Sequence, residues 1–418
     1  MSDIFKLDRE RRKLEQAITD EACKYSDLVP DDIGRAVIEG LSRELEDMSK
    51  GRNEVRWDKE GHPHVMVNFP ISPKARLDYL SLGNTIFDST DSTLKREVHP
   101  AYIIDGAVIG GFRLDKYHLA RFKGKNIHAS LYGMSPAWGS GGFTVSTNGA
   151  VGEVARINAL SGDGDAMHVE TLAEFAYLSM LASRRAFQCH GNTNYTKYHG
   201  NGNEQGAPAQ YIYNNRTSQT KTGTGPLVWQ NDGTPFGVAD LVGNMAEWVT
   251  GFRLVNEELQ WIPDNGAAKE GLSASDLLES STLFKAMLQD GSFVAPGTEN
   301  TYKYDHINDT GSWVSFVLAV TNEHSHDGYG SVASGSLTAR DGVSVATYLR
   351  IMNAFPTLKN VPSGQKYMHP VGTRACLAGG HWGDSSYAGF GYLVCHGSFG
   401  GTDSAVGVRS ASIIKTNS

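Results

Sequence analysis

Four cysteines, fourteen histidines and 46 acids are the residues here that could carry nucleophilic, redox or metal chemistry. Cys23, Cys189, Cys376 and Cys395 form no C-x-x-C pair, which excludes a zinc ribbon and argues against a disulfide framework. No Walker loop, G-x-S-x-G elbow or H-E-x-x-H helix occurs, so the motifs for phosphate cradling, serine hydrolysis and zinc proteolysis are missing. His324-Ser325-His326-Asp327 has metal-ligand residue types but no partner spaced to complete a site, and reads as a solvated loop. His190 and His199 stand in a polar loop and read as surface titrating groups. Lysine and arginine total 38 against 46 acids, a net charge of −8, so neither nucleic acid nor an anionic membrane is the expected main partner. No apolar run approaches the ~18 residues of a membrane span. The opening Met1-Ser2-Asp3-Ile4-Phe5-Lys6-Leu7-Asp8 lacks the apolar core of a signal peptide.

The elements that would position these residues are legible in part. Ile4, Leu7, Leu14, Ile18 and Tyr25 recur on steps of three and four, interrupted by Arg11 and Glu21. Pro30-Asp31-Asp32 then caps a second stripe of Val37, Leu41, Leu45 and Met48. This predicts two helices, packed as a hairpin on their own domain or serving as an oligomerising stalk, a homotrimer in the latter case. Short β-type runs follow at Val65–Asn68, Ala101–Ile104 and Ala107–Phe112. Thr171-Leu172-Ala173-Glu174 is a capping box that opens a helix over Phe175, Leu178, Met180 and Leu181. Residues 190–235 read as long surface loops, with strands expected at Val228–Trp229, Met245–Val249 and Leu259–Ile262. Between about 265 and 370 the texture changes: Ser273–Met287 reads as a helix, Trp313–Val320 as one buried strand and Asn322–Gly330 as turns.

The C-terminal segment is the most informative. Gly379-Gly380-His381-Trp382 precedes a run of small and aromatic residues that ends in Gly407-Val408-Arg409-Ser410-Ala411. Upstream stands Asp240-Leu241-Val242-Gly243-Asn244-Met245-Ala246-Glu247-Trp248. Together these resemble the G-G-S-W … G-F-R and D-x-x-G-N-x-x-E-W signatures of the formylglycine-generating-enzyme type of C-type lectin fold, and His168–Phe175 resembles its first-helix motif. Within that group the segment is similar to the variable proteins of diversity-generating retroelements, whose variable region runs from G-G-x-W to G-F-R-S-A. The spacing matches without a gap, with Val408 where that family usually has Phe. The likeness covers about residues 100–265 and 370–412.

Such retroelements mutagenise adenines, commonly in Asn codons, and a randomised codon with a fixed third pyrimidine never encodes Lys, Glu, Gln, Met or Trp. None of the five occurs in the 26 residues Gly383–Val408, an absence with a chance on the order of one in a hundred at ordinary residue usage. A glycine-rich β-region that avoids long side chains is the plain alternative. Oxidases of the superfamily bind copper through two cysteines shortly after the G-G-S-W motif. Cys395 stands alone there, and one thiol cannot supply a two-thiolate soft-metal site. Cys395 is therefore read as a diversification product or a small buried residue, with no redox role.

The resemblance implies an α+β, C-type lectin-like chain of the formylglycine-generating-enzyme type: a helical segment at 1–64 and a ligand-binding domain at 65–418. That domain carries an insert at about 266–370 and a variable region at about 379–411. Gly379, Gly380, Trp382, Gly407, Arg409, Gly243, Asn244, Glu247 and Trp248 would be framework. His381, Gly383, Asp384, Tyr387, Phe390, Tyr392, Val394, His396, Gly397, Asp403 and Ala405 would face the ligand. The function implied is receptor binding without catalysis, as in a phage tail protein of the virion that attaches to a host cell-surface protein or glycan. The bacterial surface and the cytoplasm are the other locations considered. No cofactor or metal is expected beyond a structural calcium, which some relatives bind at positions matching Asn244 and Glu247; a buried hydrogen-bonded brace is the alternative role for both. A formylglycine-generating-type oxidase and a structural tail protein of fixed surface are the competing functions.

Overall fold

The computed structural model describes residues 2–139, 157, 166–209, 211–324 and 327–416. Both N-terminal helices form where the apolar spacing and the cap predict them: α1 spans Ser2–Ala22 and α2 spans Asp32–Ser49, with Asp31 accepting from the Gly34 amide at 2.9 Å. Leu14 and Ile18 of α1 and Ile38 and Leu45 of α2 pack on Trp57, Val65 and Tyr117. Arg11, which interrupts the stripe, points inward as well, because the body supplies partners for it. Glu15 accepts from Arg11 Nη1 at 2.6 Å, from the Tyr117 hydroxyl at 2.5 Å and from Lys116 Nζ at 2.7 Å. Lys116 also donates to Asn53 Oδ1 at 2.9 Å and to the Pro235 carbonyl at 2.9 Å. Burial lowers the Lys116 ammonium to about 7 against the pull of Glu15, while Arg11 and Lys116 outweigh burial and hold the Glu15 carboxyl below its usual range.

The rest is mixed helix and sheet, an α+β arrangement. Strand β1 (Pro63–Pro70) and strand β2 (Gly111–Asp115) lie side by side in an eight-stranded sheet. Helix α3 (Leu172–Arg184) opens with the expected box: the Thr171 hydroxyl accepts from the Glu174 amide at 3.2 Å and Glu174 returns the bond at 3.0 Å. A twelve-stranded sheet is built on β3 (Ala246–Val255), β4 (Tyr329–Ala333), β5 (Gln365–Met368), β6 (Thr373–Ala378) and β7 (Leu393–Gly397), in the order β3-β6-β7-β5-β4. Strand β8 (Ser410–Ile414) crosses back to the first sheet and pairs with β2. The 266–370 segment supplies β4, β5 and further strands to the second sheet, and its Tyr302, Tyr304 and Tyr348 share one core with Phe175 and Trp261. Among the described residues, no helix is long and apolar enough to cross a membrane.

Some local expectations fail, for local reasons. Ser273–Met287 makes only one helical turn, Ala274–Leu277, before Lys285–Met287 joins the sheet. The Ser281 hydroxyl takes the Asp276 carbonyl at 2.6 Å, diverting an acceptor from the helix ladder. Val228–Trp229 lies in a 3-10 turn, Leu227–Trp229, begun by Pro226. Trp313–Val320 splits into Trp313–Val314 and Phe316–Ala319, and Trp313 is 52% exposed. Tyr329 and Gly330, read as turn, begin β4, while Ser325 and His326 lie outside the described residues.

Because Arg11 and Lys116 lose their shared counter-charge in Glu15→Gln, that variant should be about 3–5 kcal/mol less stable in urea unfolding; a loss below about 1 kcal/mol would show that α1 is held by its apolar face alone.

Candidate functional site

The C-terminal segment grows out of β6 and returns through β7. Glu247 opposes Ala378 and Trp248 opposes Leu377 on one side of β6, while Leu377 opposes Val394 and Ala378 opposes Leu393 on the other. A disulfide joins Cys376 to Cys395 across the β6–β7 pair, closing a ring with a sequence separation of 19. This corrects the reading of Cys395 as an isolated thiol; among the described residues only Cys23 and Cys189 are free. Beyond β6 the chain turns through two left-handed residues, Gly379 (φ +82°) and Gly380 (φ +85°). A Cβ at Gly379 would lie 2.3 Å from the Leu241 carbonyl oxygen, and one at Gly380 would lie 2.7 Å from the Ala388 methyl. Only glycine fits both positions.

The expected framework residues are all buried. Trp382 packs with Met245 and Ala405, and its ring lies 5.1 Å from Tyr195 and 5.2 Å from Tyr213. Asn244 accepts from the Thr220 amide at 2.9 Å, donates to the Thr220 carbonyl at 3.1 Å and accepts from Asn192 Nδ2 at 3.1 Å. Arg409 donates to Glu247 Oε2 at 2.8 Å, to the Asp115 carbonyl at 3.1 Å and to the Ala239 carbonyl at 2.5 Å. Glu170 lies against Glu247, and burial raises both carboxyls above their usual range; Glu247 opposes the ionisation of Glu170, while Arg409 and a hydrogen bond from Glu170 favour the charged form of Glu247. The Asn244 amide is thus committed to loop backbone and Glu247 faces a guanidinium, so both side chains brace the segments they join.

The expected ligand-facing residues divide. Gly383, Tyr387 and Asp403 are exposed, and His381, Asp384, His396 and Gly397 are half-buried. His381 Nε2 lies 3.2 Å from Asp384 Oδ1, and the His381 amide donates to Asp384 Oδ2 at 2.7 Å. Asp403 accepts from the Ala405 amide at 2.8 Å. Phe390, Tyr392, Val394 and Ala405, by contrast, are each 5% exposed or less. Phe390 packs on Phe175 at 5.7 Å, Val394 sits with Ala246, and Ala405 lies under Trp382. Burial raises the Tyr392 hydroxyl, which bonds to Asp384. These four are corrected from surface to interior: a glycine-rich segment has no period from which its inward side can be read.

Sequence reasoning also missed the neighbours of His396. Its ring lies 5.5 Å from Tyr329, 6.0 Å from Tyr367 and 6.4 Å from Trp313, and Trp313 stacks on Tyr329 at 4.9 Å. Tyr329 is 40% exposed. Tyr367 is 6.0 Å from Tyr392 and also feels Asp384 and Tyr387, so the aromatic patch adjoins the His381–Asp384 end of the segment. Only strand pairing brings residues 313, 329, 367 and 396 together, so no local sequence signal marks them. Beneath the patch Lys366 is buried, donating to the Asn353 carbonyl at 2.6 Å and the Gly391 carbonyl at 3.3 Å. Of the polar loop's histidines, His190 Nδ1 meets Glu204 at 2.8 Å and His199 Nδ1 meets the Thr193 hydroxyl at 2.8 Å.

No protein-family model and no curated protein sequence matches the chain. Among solved structures it is similar to variants of the Major Tropism Determinant. The M1 variant is 13% identical with a TM-score of 0.31, the match covering 75% of this chain and 52% of that one. The P3c variant is 13% identical at 0.30, with the same coverages. The U1 variant is 11% identical at 0.30, covering 85% of this chain and 66% of that one. The chain thus spans between about half and two thirds of the length of these structures.

Two outcomes are expected. Opening the ring in Cys395→Ser should cost about 3 kcal/mol in chemical unfolding, reversing the near-neutral effect that an isolated thiol would have; an unchanged midpoint would refute this. Burial alone lowers Lys366 from 10.5 to about 7, so between those values the unfolded chain holds a proton that the folded chain has released. Stability therefore rises with pH across that window and gains nothing further above it. The melting temperature of the wild type should climb relative to Lys366→Met from about pH 7 to about pH 10, and a flat difference would refute the lowering of Lys366 by burial.

Proposed function

We propose that the chain is a ligand-binding protein of the diversity-generating-retroelement type, on a C-type lectin-like scaffold of the formylglycine-generating-enzyme kind. Its binding surface comprises His381, Gly383, Asp384, Tyr387, His396, Gly397 and Asp403, extended by Trp313, Tyr329 and Tyr367. The observation that carries this reading is the contrast within one segment. Gly379, Gly380, Trp382, Gly407 and Arg409 are packed and hydrogen-bonded into the body, while the residues between them that reach solvent come, His381 apart, from the codon-restricted window. A rigid seat under exposed side chains is what a replaceable binding surface needs, and aromatic anchors supply most of the energy of such contacts. The role is attachment to a host cell-surface protein or glycan from a phage tail, within the virion. Assembly into a homo-oligomer, a trimer in the first instance, would use the exposed Phe5, Ile33 and Val37 of the N-terminal helices, which are 60%, 76% and 43% exposed. Light scattering that finds a monomer would remove that part.

The disulfide weighs against the oxidase alternative, since a cystine offers no thiolate to copper. The test is cell or receptor binding measured beside thermal melts on the same samples. Tyr387→Ser with His396→Ser should melt within about 0.5 kcal/mol per substitution of the wild type and lose about 2 kcal/mol or more of binding. Trp382→Ala should lose about 3–5 kcal/mol of stability. A surface variant that folds and binds as well as the wild type would sink the reading.

A further inference from the structure

Away from that surface, the buried grouping of metal-ligand residue types among the described residues is Asp58, His64 and His128. Asp58 sits on the turn between the strand Asn53–Trp57 and β1, His64 on β1, and His128 on the strand Lys125–Ser130. One donor atom from each lies within 4.8 Å of the other two. The turn itself orients the carboxylate. Asp58 Oδ1 accepts from the Glu60 and His62 amides, both at 2.9 Å, and Oδ2 faces His62 Nδ1 at 2.7 Å and His128 Nδ1 at 2.8 Å. His64 Nδ1 meets Asp115 Oδ1 at 2.9 Å, and its Nε2 is buried with no side-chain partner. A histidine held by a carboxylate through one nitrogen is the arrangement by which proteins present the other nitrogen to a metal ion.

The geometry points to a divalent metal site with Asp58, His64 and His128 as ligands and zinc as the fitting occupant. Two imidazoles and one carboxylate suit a borderline transition ion. Calcium and magnesium favour all-oxygen sites, and Cu(I) favours the thiolates this cluster lacks. His62, whose Nδ1 lies 2.7 Å from Asp58 Oδ2, is one further donor for the fourth position, with water as the other candidate. The role is structural, since both supporting contacts lead to one residue: His128 Nε2 lies 2.9 Å from the Ser410 hydroxyl, and the Ser410 amide donates to Asp115 Oδ2 at 3.0 Å. Ser410 follows Arg409, so an ion here clamps the N-terminal hairpin to the strand that anchors the C-terminal framework.

The test uses the full chain, stripped with chelator and dialysed, with Zn²⁺ or Co²⁺ alone as probe. Equilibrium dialysis should find one equivalent per chain, the Co²⁺ form should show visible d–d bands that Zn²⁺ displaces, and Zn²⁺ should raise the melting temperature. Asp115→Asn keeps every ligand and loses the carboxylate behind His64, so its Zn²⁺ affinity should fall about tenfold to a hundredfold. His64→Gln should lose the equivalent; if that variant does not fold, the wild-type and Asp115→Asn titrations decide. Wild-type protein that takes up less than a tenth of an equivalent, or equal affinity in Asp115→Asn, would overturn the site and leave a proton-bridged cluster.

Discussion

A single guanidinium holds the two sheets in register. Arg409 is fully buried and divides its donors between the Glu247 carboxylate on β3, the Asp115 carbonyl at the end of β2 and the Ala239 carbonyl in the loop that leads to β3. A buried cation is tolerable only when its donors are met, and each partner here comes from a different part of the chain. The arrangement therefore selects one path for the backbone. Val406–Gly407 must run parallel to β3, and Ser410 must enter the first sheet beside Asp115. Glu170, pressed against Glu247, stays protonated more readily than an ordinary carboxylic acid and so does not compete for the same guanidinium.

Everything between Gly380 and Ala405 hangs from that fixed point. Its near end is set by two left-handed glycines, its middle by the Cys376–Cys395 bridge, and its far end by the Asp403 carboxylate on the Ala405 amide. The segment that leaves these restraints meets aromatic side chains from the 266–370 region. Three residues of that surface, Trp313, Tyr329 and Tyr367, thus come from outside the C-terminal segment.

What the sequence revealed follows the range of the forces involved. Capping at Asp31 and at Thr171 with Glu174 acts within one turn of helix, so both helix starts could be read directly. The framework glycines, Trp382 and Arg409 were legible because their spacing matches a known pattern. The inward turn of Arg11 was not, since an i,i+4 pair with Glu15 looks the same on a wet face as on a dry one, and Lys116 and Tyr117, just past the end of β2, decide it. The bridge between residues 376 and 395, the burial of Phe390 and Tyr392, and the meeting of His396 with Trp313 all depend on which strands pair. Asp58, His62 and His64 stand close in the chain, but the carboxylate behind them comes from Asp115.

The burial of Phe390, Tyr392, Val394 and Ala405 has an evolutionary consequence. Where a segment is rewritten at random, replacements at its outer positions are filtered only by what they bind, whereas Ser or Asp at these four would open a cavity or bury an unmet hydroxyl or charge. Many random rewrites would then be lost as misfolded chains before they met any target. Under the proposed reading, the working repertoire would be smaller than the codon count suggests, limited by the depth of four side chains.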